Sequence, residues 1–297
     1  MKKNSMYRLT LIVICLGVLL LFLPKSKPQA SPTLVQPSDI DIQYLSRSIG
    51  QSVVHTVLIP AQSHYSVTPA LSQKLSNLES FAQKNQAVAA LNGGYFDPAN
   101  GKTTSIVVLQ GKIVADPRQN ERLMNNPNLA AYLDKILNRT EFRRYLCGKT
   151  VRYDIVLHAQ PAPENCQLED ALGGGPGLLP EITSFQEGFL DFSQGKVIRD
   201  AIGSRQPNAR TAVGITGDGS IVWVMVAQKP ADPKTSGMSL QELSEFMKTL
   251  GVEKAMNLDG GSSSSLYYKG NTVYGKVNSQ GNSVRRQVKS VLLIQKN

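Results

Sequence analysis

Residues Lys254–Tyr268 read Lys-Ala-Met-Asn-Leu-Asp-Gly-Gly-Ser-Ser-Ser-Ser-Leu-Tyr-Tyr. The run begins apolar, turns through Asn257, Leu258 and Asp259, passes Gly260 and Gly261, and carries four serines into Leu266, Tyr267 and Tyr268. Such a pattern makes a short buried strand that delivers one carboxylate, Asp259, to its end. Two glycines let the backbone turn sharply and come close to a ligand. The serines, Ser262 and Ser263 first, add hydroxyls and backbone N–H groups beside the carboxylate, a set able to hold an anion or a sugar. A flexible Gly/Ser linker has the same composition. Here, however, both flanks look like core strands.

Three other stretches place glycine against a strand. Ala87–Leu91 runs straight into Asn92, Gly93, Gly94, Tyr95, Phe96 and Asp97. Asn-Gly is a common tight-turn signal; alternatively the turn presents the Asn92 amide, and with it Asp97, at a strand end. The stretch Ala171–Leu179 holds Gly173, Gly174 and Gly175 followed by Pro176 and Gly177. It lacks the Gly-Lys-Ser/Thr of a nucleotide phosphate loop and the glycine spacing of a dinucleotide fingerprint. Close backbone approach to a ligand and a tight inter-strand loop both fit it. Arg210 and Thr211 open a strand that continues to Ile215. Arginine suits phosphate or carboxylate because its N–H groups bind in pairs; a surface ion pair is the plainer reading.

Several reaction classes are disfavoured. No Gly-x-Ser-x-Gly elbow occurs, and the three histidines, His55, His64 and His158, all lie away from the glycine-rich stretches. A Ser–His–Asp hydrolase and a His-based zinc hydrolase both need histidine at the site. What remains is a carboxylate with an arginine and backbone donors, which suits cleavage at an anomeric carbon or at phosphorus. No cofactor is read. A divalent metal could assist through Asp259 and Asp97, but two scattered aspartates are no metal signature.

Composition bounds the rest. With 41% hydrophobic and 18% charged residues among 297, the chain has enough apolar content for a sizeable core. Of the net charge of +10, half comes from Lys2, Lys3, Arg8, Lys25 and Lys27 at the N-terminus. The moderate excess on the body fits anionic ligands such as phosphodiesters or acidic glycans. Nucleic acid is not expected, since no dense basic run carries interleaved aromatics. Leu9–Leu23 is uncharged, long for a signal-peptide core and shorter than the roughly 20 residues of a membrane span. Residues 1–27 are read as a signal anchor or signal peptide, and 28–50 as a linker. The body is expected in the cell envelope outside the cytoplasm, either membrane-anchored through its N-terminus or secreted. In that setting Cys147 and Cys166 are expected to form a disulfide.

Further elements follow the punctuation of the chain. Gln51–Ile59 is expected as a strand, and Thr68-Pro69 as the start of a helix with Leu71, Leu75, Leu78 and Phe81 on one face. Ile106–Val114 reads as a hairpin. Residues from about 116 to 170 read as a helical insertion or lid: an amphipathic helix after Pro127, a second short helix capped by Thr140, and a solvated basic cluster of Arg139, Arg143 and Arg144. Ser239 and Glu242 form a capping box opening a helix that Gly251 stops. Val288–Ile294, preceded by Arg285 and Arg286, is a closing strand. The fold class is α+β: a mixed, largely antiparallel sheet core with packing helices and the helical insertion.

Taken together and in order, Leu91–Phe96, Gly173–Leu178, Arg210–Gly214 and Asn257–Ser263, with Arg286–Leu293 at the end, resemble the phosphodiester glycosidase family. The resemblance spans about 53–294 and makes residues 51–297 one such domain. Ser262 stands where the family often has a third glycine. The resemblance implies hydrolysis of a sugar-1-phosphodiester, releasing the sugar and leaving a phosphomonoester, in envelope or exopolysaccharide glycan metabolism. It implies Asp259 as the catalytic carboxylate, as nucleophile or base, with Asn92 orienting sugar or water. Arg210 and Thr211 would hold substrate together with backbone around Gly93, Gly94, Gly174, Gly175, Gly260, Gly261, Ser262 and Ser263. Two other readings stay open: a phosphodiesterase that cuts P–O, and a non-catalytic envelope protein that binds anionic glycans.

Overall fold

The computed structural model describes residues 41–297. The signal segment and most of the expected linker lie outside them. No helix among the described residues is long and apolar enough to cross a membrane.

Three antiparallel sheets build the body. The first has six strands in the order β1 (Gln43–Ile49), β2 (Ser52–Ile59), β14 (Ile221–Gln228), β13 (Arg210–Thr216), β15 (Val252–Asn257) and β10 (Gly177–Leu179). The second has β17 (Asn271–Tyr274), β16 (Ser265–Tyr268), β4 (Ala89–Asn92), β18 (Val288–Lys296) and β3 (Tyr65–Ser76). The third has β6 (Lys112–Ala115), β5 (Val107–Leu109), β9 (Cys166–Gly173), β7 (Thr140–Cys147) and β8 (Thr150–Leu157). A separate hairpin joins β11 (Leu190–Ser193) to β12 (Lys196–Asp200). Every strand pair described is antiparallel. The architecture is thus β-dominated, with few helices.

The core explains why so many strands are apolar throughout. Trp223 and Met225 of β14, Leu91 of β4, Leu292 of β18, Phe142 of β7 and Leu172 of β9 meet in one cluster shared by the three sheets. The opposite face of β14, with Val222, Val224 and Val226, packs on Leu240, Leu243 and Met247 of the helix Leu240–Thr249. Likewise Ala90, Val291 and Leu293 back onto Leu78, Phe81 and Ala82 of the helix Leu78–Lys84. A strand covered on both faces has no solvent side, so polar alternation disappears. The expected capping box at Ser239 is present in both arms.

Four expectations need correction. Gln43–Ile49, placed in the linker, is the edge strand β1. Thr68-Pro69 opens no helix; it lies within β3, and the helix begins only after Asn77, whose side chain accepts from Ser80 N at 3.0 Å. β3 is an edge strand, the place in a sheet where proline is tolerated. Thr140 starts a strand instead of a short helix. Finally, 116–170 is not a lid: only short helical turns fill 117–137, while β7, β8 and β9 are integral to the third sheet and the shared core. Cys147 and Cys166 face each other across β7 and β9 and are disulfide-bonded, as expected.

Candidate active site

β15 runs beside β13, with Ala212 opposite Asn257, and carries Asn257, Leu258 and Asp259 past the end of the first sheet. There the glycine-rich turns of the other two sheets meet it. The Asp259 N–H donates to the Gly93 carbonyl at 3.0 Å, the Leu258 N–H to Thr211 O at 2.8 Å, and the Gly175 N–H to Asn257 O at 2.9 Å. All four glycine- or arginine-bearing motifs of the sequence therefore converge at one point.

They do not all face outward. Asp259, Gly260, Gly261 and Ser262 are partly exposed, whereas Asn92, Gly93, Gly94, Gly174, Gly175, Arg210 and Thr211 are buried behind them. The N–H groups expected to grip a ligand are largely spent inside the fold. Gly93 N bonds Ser290 O at 2.8 Å, Gly94 N bonds Ser290 Oγ at 3.1 Å, Gly174 N bonds Thr140 O at 2.9 Å and Gly261 N bonds Ala209 O at 2.8 Å. Ser263 N likewise bonds Gly260 O at 3.2 Å. Glycine is required here for packing: a Cβ on Gly94 would lie 2.2 Å from Gly173 O. At Gly175, with φ +90°, a Cβ would meet Glu187 Oε2 at 2.1 Å.

Arg210 also departs from expectation. Its Nε donates to Met238 O at 2.9 Å and Nη1 to Ile202 O at 3.0 Å. Nη2 donates to Gly203 O at 2.6 Å and Gln206 O at 2.9 Å. With four of five N–H groups on backbone carbonyls, Arg210 ties the 202–206 turn and Met238 to β13 and has little left for a phosphate. Asn92 is a strut: Nδ2 donates to Asp259 O at 2.6 Å, and Oδ1 accepts from Thr211 Oγ1 at 2.8 Å and Ser265 N at 3.0 Å. Asp97 is engaged elsewhere, with Arg122 Nε at 2.7 Å and Ala99 N at 2.8 Å. Among the described residues no three His, Cys, Asp or Glu side chains gather as a metal site.

The Asp259 carboxyl has a pKa pushed up to about 6, because burial disfavours its charge. The Ser263 hydroxyl, the Arg286 guanidinium and the Gly260 N–H each oppose that rise. Arg286 Nη1 donates to Ser262 Oγ at 2.7 Å, and its guanidinium lies over the Phe96 ring, 5.1 Å from the centroid. Tyr95 is partly exposed; its hydroxyl donates to Gly175 O at 2.8 Å and accepts from Asn257 Nδ2 at 2.8 Å. Burial, and next the Asp259 charge, hold that phenol far above its ordinary range. Phe189 packs against Tyr95 with ring centroids 5.4 Å apart, and the Arg139 guanidinium lies 3.7 Å over Phe189.

Glu187 is the other carboxylate near the glycine-rich turns. It is fully buried and accepts from Thr140 N at 2.8 Å, Thr140 Oγ1 at 2.6 Å, Gly177 N at 2.8 Å and the Thr183 hydroxyl. Those bonds hold the 173–177 turn in place. His55 bonds Tyr44 and His158 bonds Glu141.

Sequence reasoning missed Tyr95, Arg139, Glu187 and Arg286. Tyr95 and Arg286 lie inside quoted motifs but were given no role, so motif membership was a usable signal. Arg139 was assigned to a solvated cluster; in fact Arg143 pairs with buried Glu141, Arg144 pairs with Asp170, and Arg139 joins the site.

The pattern of the phosphodiester glycosidases matches residues 85–295. No curated protein matches the chain in sequence. Among solved structures, the catalytic domain of zebrafish N-acetylglucosamine-1-phosphodiester alpha-N-acetylglucosaminidase, auto-inhibited by its pro-peptide, superposes with TM-score 0.61 at 20% identity. That match covers 86% of this chain and 83% of the zebrafish domain. The "putative exported protein" of Burkholderia pseudomallei K96243 gives TM-score 0.60 at 14% identity, covering 82% of this chain and 74% of that one. A hypothetical protein from Synechocystis gives 0.56 at 17%, covering 85% of this chain and 62% of the other, less than two thirds of its length. At these identities the likeness establishes the fold, and the family pattern, covering more than half the chain, establishes membership. The chain belongs to the phosphodiester glycosidase family, a family of glycosidases that act on phosphodiesters.

Proposed function

We propose that this protein hydrolyses a sugar-1-phosphodiester at the glycosyl C–O bond, with Asp259 as the catalytic carboxylate. The observation that carries this reading is Asp259 itself, a part-exposed carboxyl where all four motifs converge, with a pKa raised to about 6. Near neutral pH it is mostly ionised yet basic enough to accept a proton. In the proposed step, water oxygen bonds to the anomeric carbon as the C–O bond breaks. The electron pair leaves with the phosphomonoester, and the water proton passes to Asp259. A phosphate ester departs as a stable anion, so this reaction has little need of the general acid that an ordinary glycoside requires. Arg286 and the Ser262 and Ser263 hydroxyls, grouped around Asp259, supply positive charge and hydrogen bonds where charge develops. Asn92, Arg210 and Thr211 act behind this surface as positioning residues.

The site of action is proposed to be the cell envelope outside the cytoplasm, on envelope or exopolysaccharide glycans. The Cys147–Cys166 disulfide favours an oxidising compartment, and one structural relative is described as an exported protein. The N-terminal apolar segment would anchor or export the chain.

The test is turnover of the methyl phosphodiester of N-acetylglucosamine-1-phosphate in water enriched in oxygen-18, beside Asp259→Asn. Label in the free sugar, lost in the variant, is the expected result. Label in phosphate, with sugar-1-phosphate as product, would replace this reading by P–O cleavage. Binding without turnover would leave a glycan-binding protein.

A further inference from the structure

We propose that Arg139, racked on Phe189, forms a phosphate-binding subsite beside the Asp259 turn. The inference rests on the function proposed above for the identity of the anion's source, but its geometry is separate from Asp259. Arg139 Nε is fixed on the Glu187 carbonyl at 3.2 Å, and its plane lies 3.7 Å over Phe189. Phe189 is itself 1% exposed and packed on Tyr95, so the platform cannot swing. Arg139 remains partly exposed, and among the described residues its two terminal nitrogens have no hydrogen-bond partner.

Among the described residues no carboxylate forms an ion pair with it, although the buried Glu187 charge favours the cation through space. The nearby Glu187 has its oxygens taken by Thr140, Gly177 and Thr183. Its cluster neighbours differ: Arg143 and Arg144 each pair with an acid. Arg210 is spent on carbonyls. A guanidinium pinned at one edge, stacked on one face and open along its fork is built to take two oxygens of one anion. The surroundings already resist the cation, since burial lowers its pKa to about 10. An incoming phosphate relieves that cost. The Tyr95 ring, 5.7 Å from the Arg139 guanidinium and within the field of Asp259, connects subsite and carboxylate.

The experiment compares the full chain with Arg139→Gln, Arg139→Lys and Phe189→Leu, using three probes. The first is inorganic phosphate, followed by calorimetry. The second is the methyl phosphodiester of N-acetylglucosamine-1-phosphate. The third is the neutral aryl glycoside 4-nitrophenyl N-acetyl-alpha-glucosaminide. Loss of a bidentate charged contact should weaken phosphate binding and raise KM for the diester by about tenfold or more in Arg139→Gln. Arg139→Lys and Phe189→Leu should fall between, because each keeps the charge and loses only the fork or the ring beneath it. Hydrolysis of the aryl glycoside, which carries no phosphate, should fall less than that of the diester in all three. Equal loss on the diester and the aryl glycoside would make Arg139 a structural residue and overturn the proposal. So would phosphate affinity that is absent in the native chain or unaltered by Arg139→Gln. If no diester turns over, the calorimetric comparison still decides the subsite independently of the reaction. If Arg139→Gln fails to fold, Arg139→Lys and Phe189→Leu carry the same comparison.

Discussion

The side-chain amide of Asn92 donates to the backbone carbonyl of Asp259 at 2.6 Å, across 167 positions of sequence. Through this bond the second sheet fixes the angle at which the first presents its carboxylate. The same amide oxygen holds Thr211 and Ser265, so one buried side chain aligns three segments. Asn92→Ala leaves a carbonyl, a hydroxyl and an N–H without partners. Each buried orphan costs about 1–3 kcal/mol, so a substantial drop in urea midpoint is expected. The folded variant should lose kcat with KM little changed, because the strut touches Asp259 and not the substrate.

Titration of Asp259 sets two pH dependences. If the carboxylate form is the active one, kcat/KM should rise as pH passes through about 6 and level above it. Asp259→Asn should abolish that limb along with most of the rate. For stability the sign is opposite. The carboxyl binds its proton more tightly folded than unfolded, since its pKa rises from 3.8 to about 6. Stability contributed at this position is therefore present below pH 4 and lost as pH climbs through about 6. Asp259→Asn should match the native chain at pH 4 and exceed it by about 1–2 kcal/mol at pH 7.5, measured by denaturant melts at both pH values. Native-like melting of the variant at both would show that the carboxyl is not desolvated.

Arg210→Gln separates a ligand grip from a scaffold tie. Four backbone carbonyls lose a charged donor, so destabilisation of about 3 kcal/mol or more is expected. Below its melting range, phosphate affinity should be unaltered. Weaker phosphate binding in a fully folded variant would restore Arg210 to the role that the sequence suggested.

Reduction of Cys147–Cys166 should lower stability by about 3 kcal/mol in the chain-entropy view of a loop of this size. The bond joins neighbouring strands of the third sheet far along β7 and β9 from the site turns. Diester turnover at low temperature should therefore survive dithiothreitol while the thermal midpoint falls.

The motifs were legible because glycine and capping signals are local. Asn257–Ser263, Gly173–Gly177 and the Ser239 cap each declare their geometry through residues a few positions apart. Strands were legible where both flanks were apolar. Local pattern misled at Thr68-Pro69, where Leu71, Leu75 and Leu78 fit a helical face but long-range pairing with β18 made a strand. It misled again at 140–147, where charged residues suggested solvent yet Glu141 and Arg143 are buried against each other.

By itself the sequence determined the four glycine- and arginine-bearing motifs with one carboxylate among them, the expected pairing of Cys147 with Cys166, and which family the pattern resembles. Only the tertiary structure decided which members of those motifs meet solvent. It turned Arg210, Asn92 and the buried glycines into supports and set Tyr95, Arg139 and Arg286 around the Asp259 turn. The reason is that hydrogen-bond donors are finite. An arginine or a glycine N–H serves a ligand only if no carbonyl has taken it, and which carbonyls come near is set by sheets that pair residues distant in the chain.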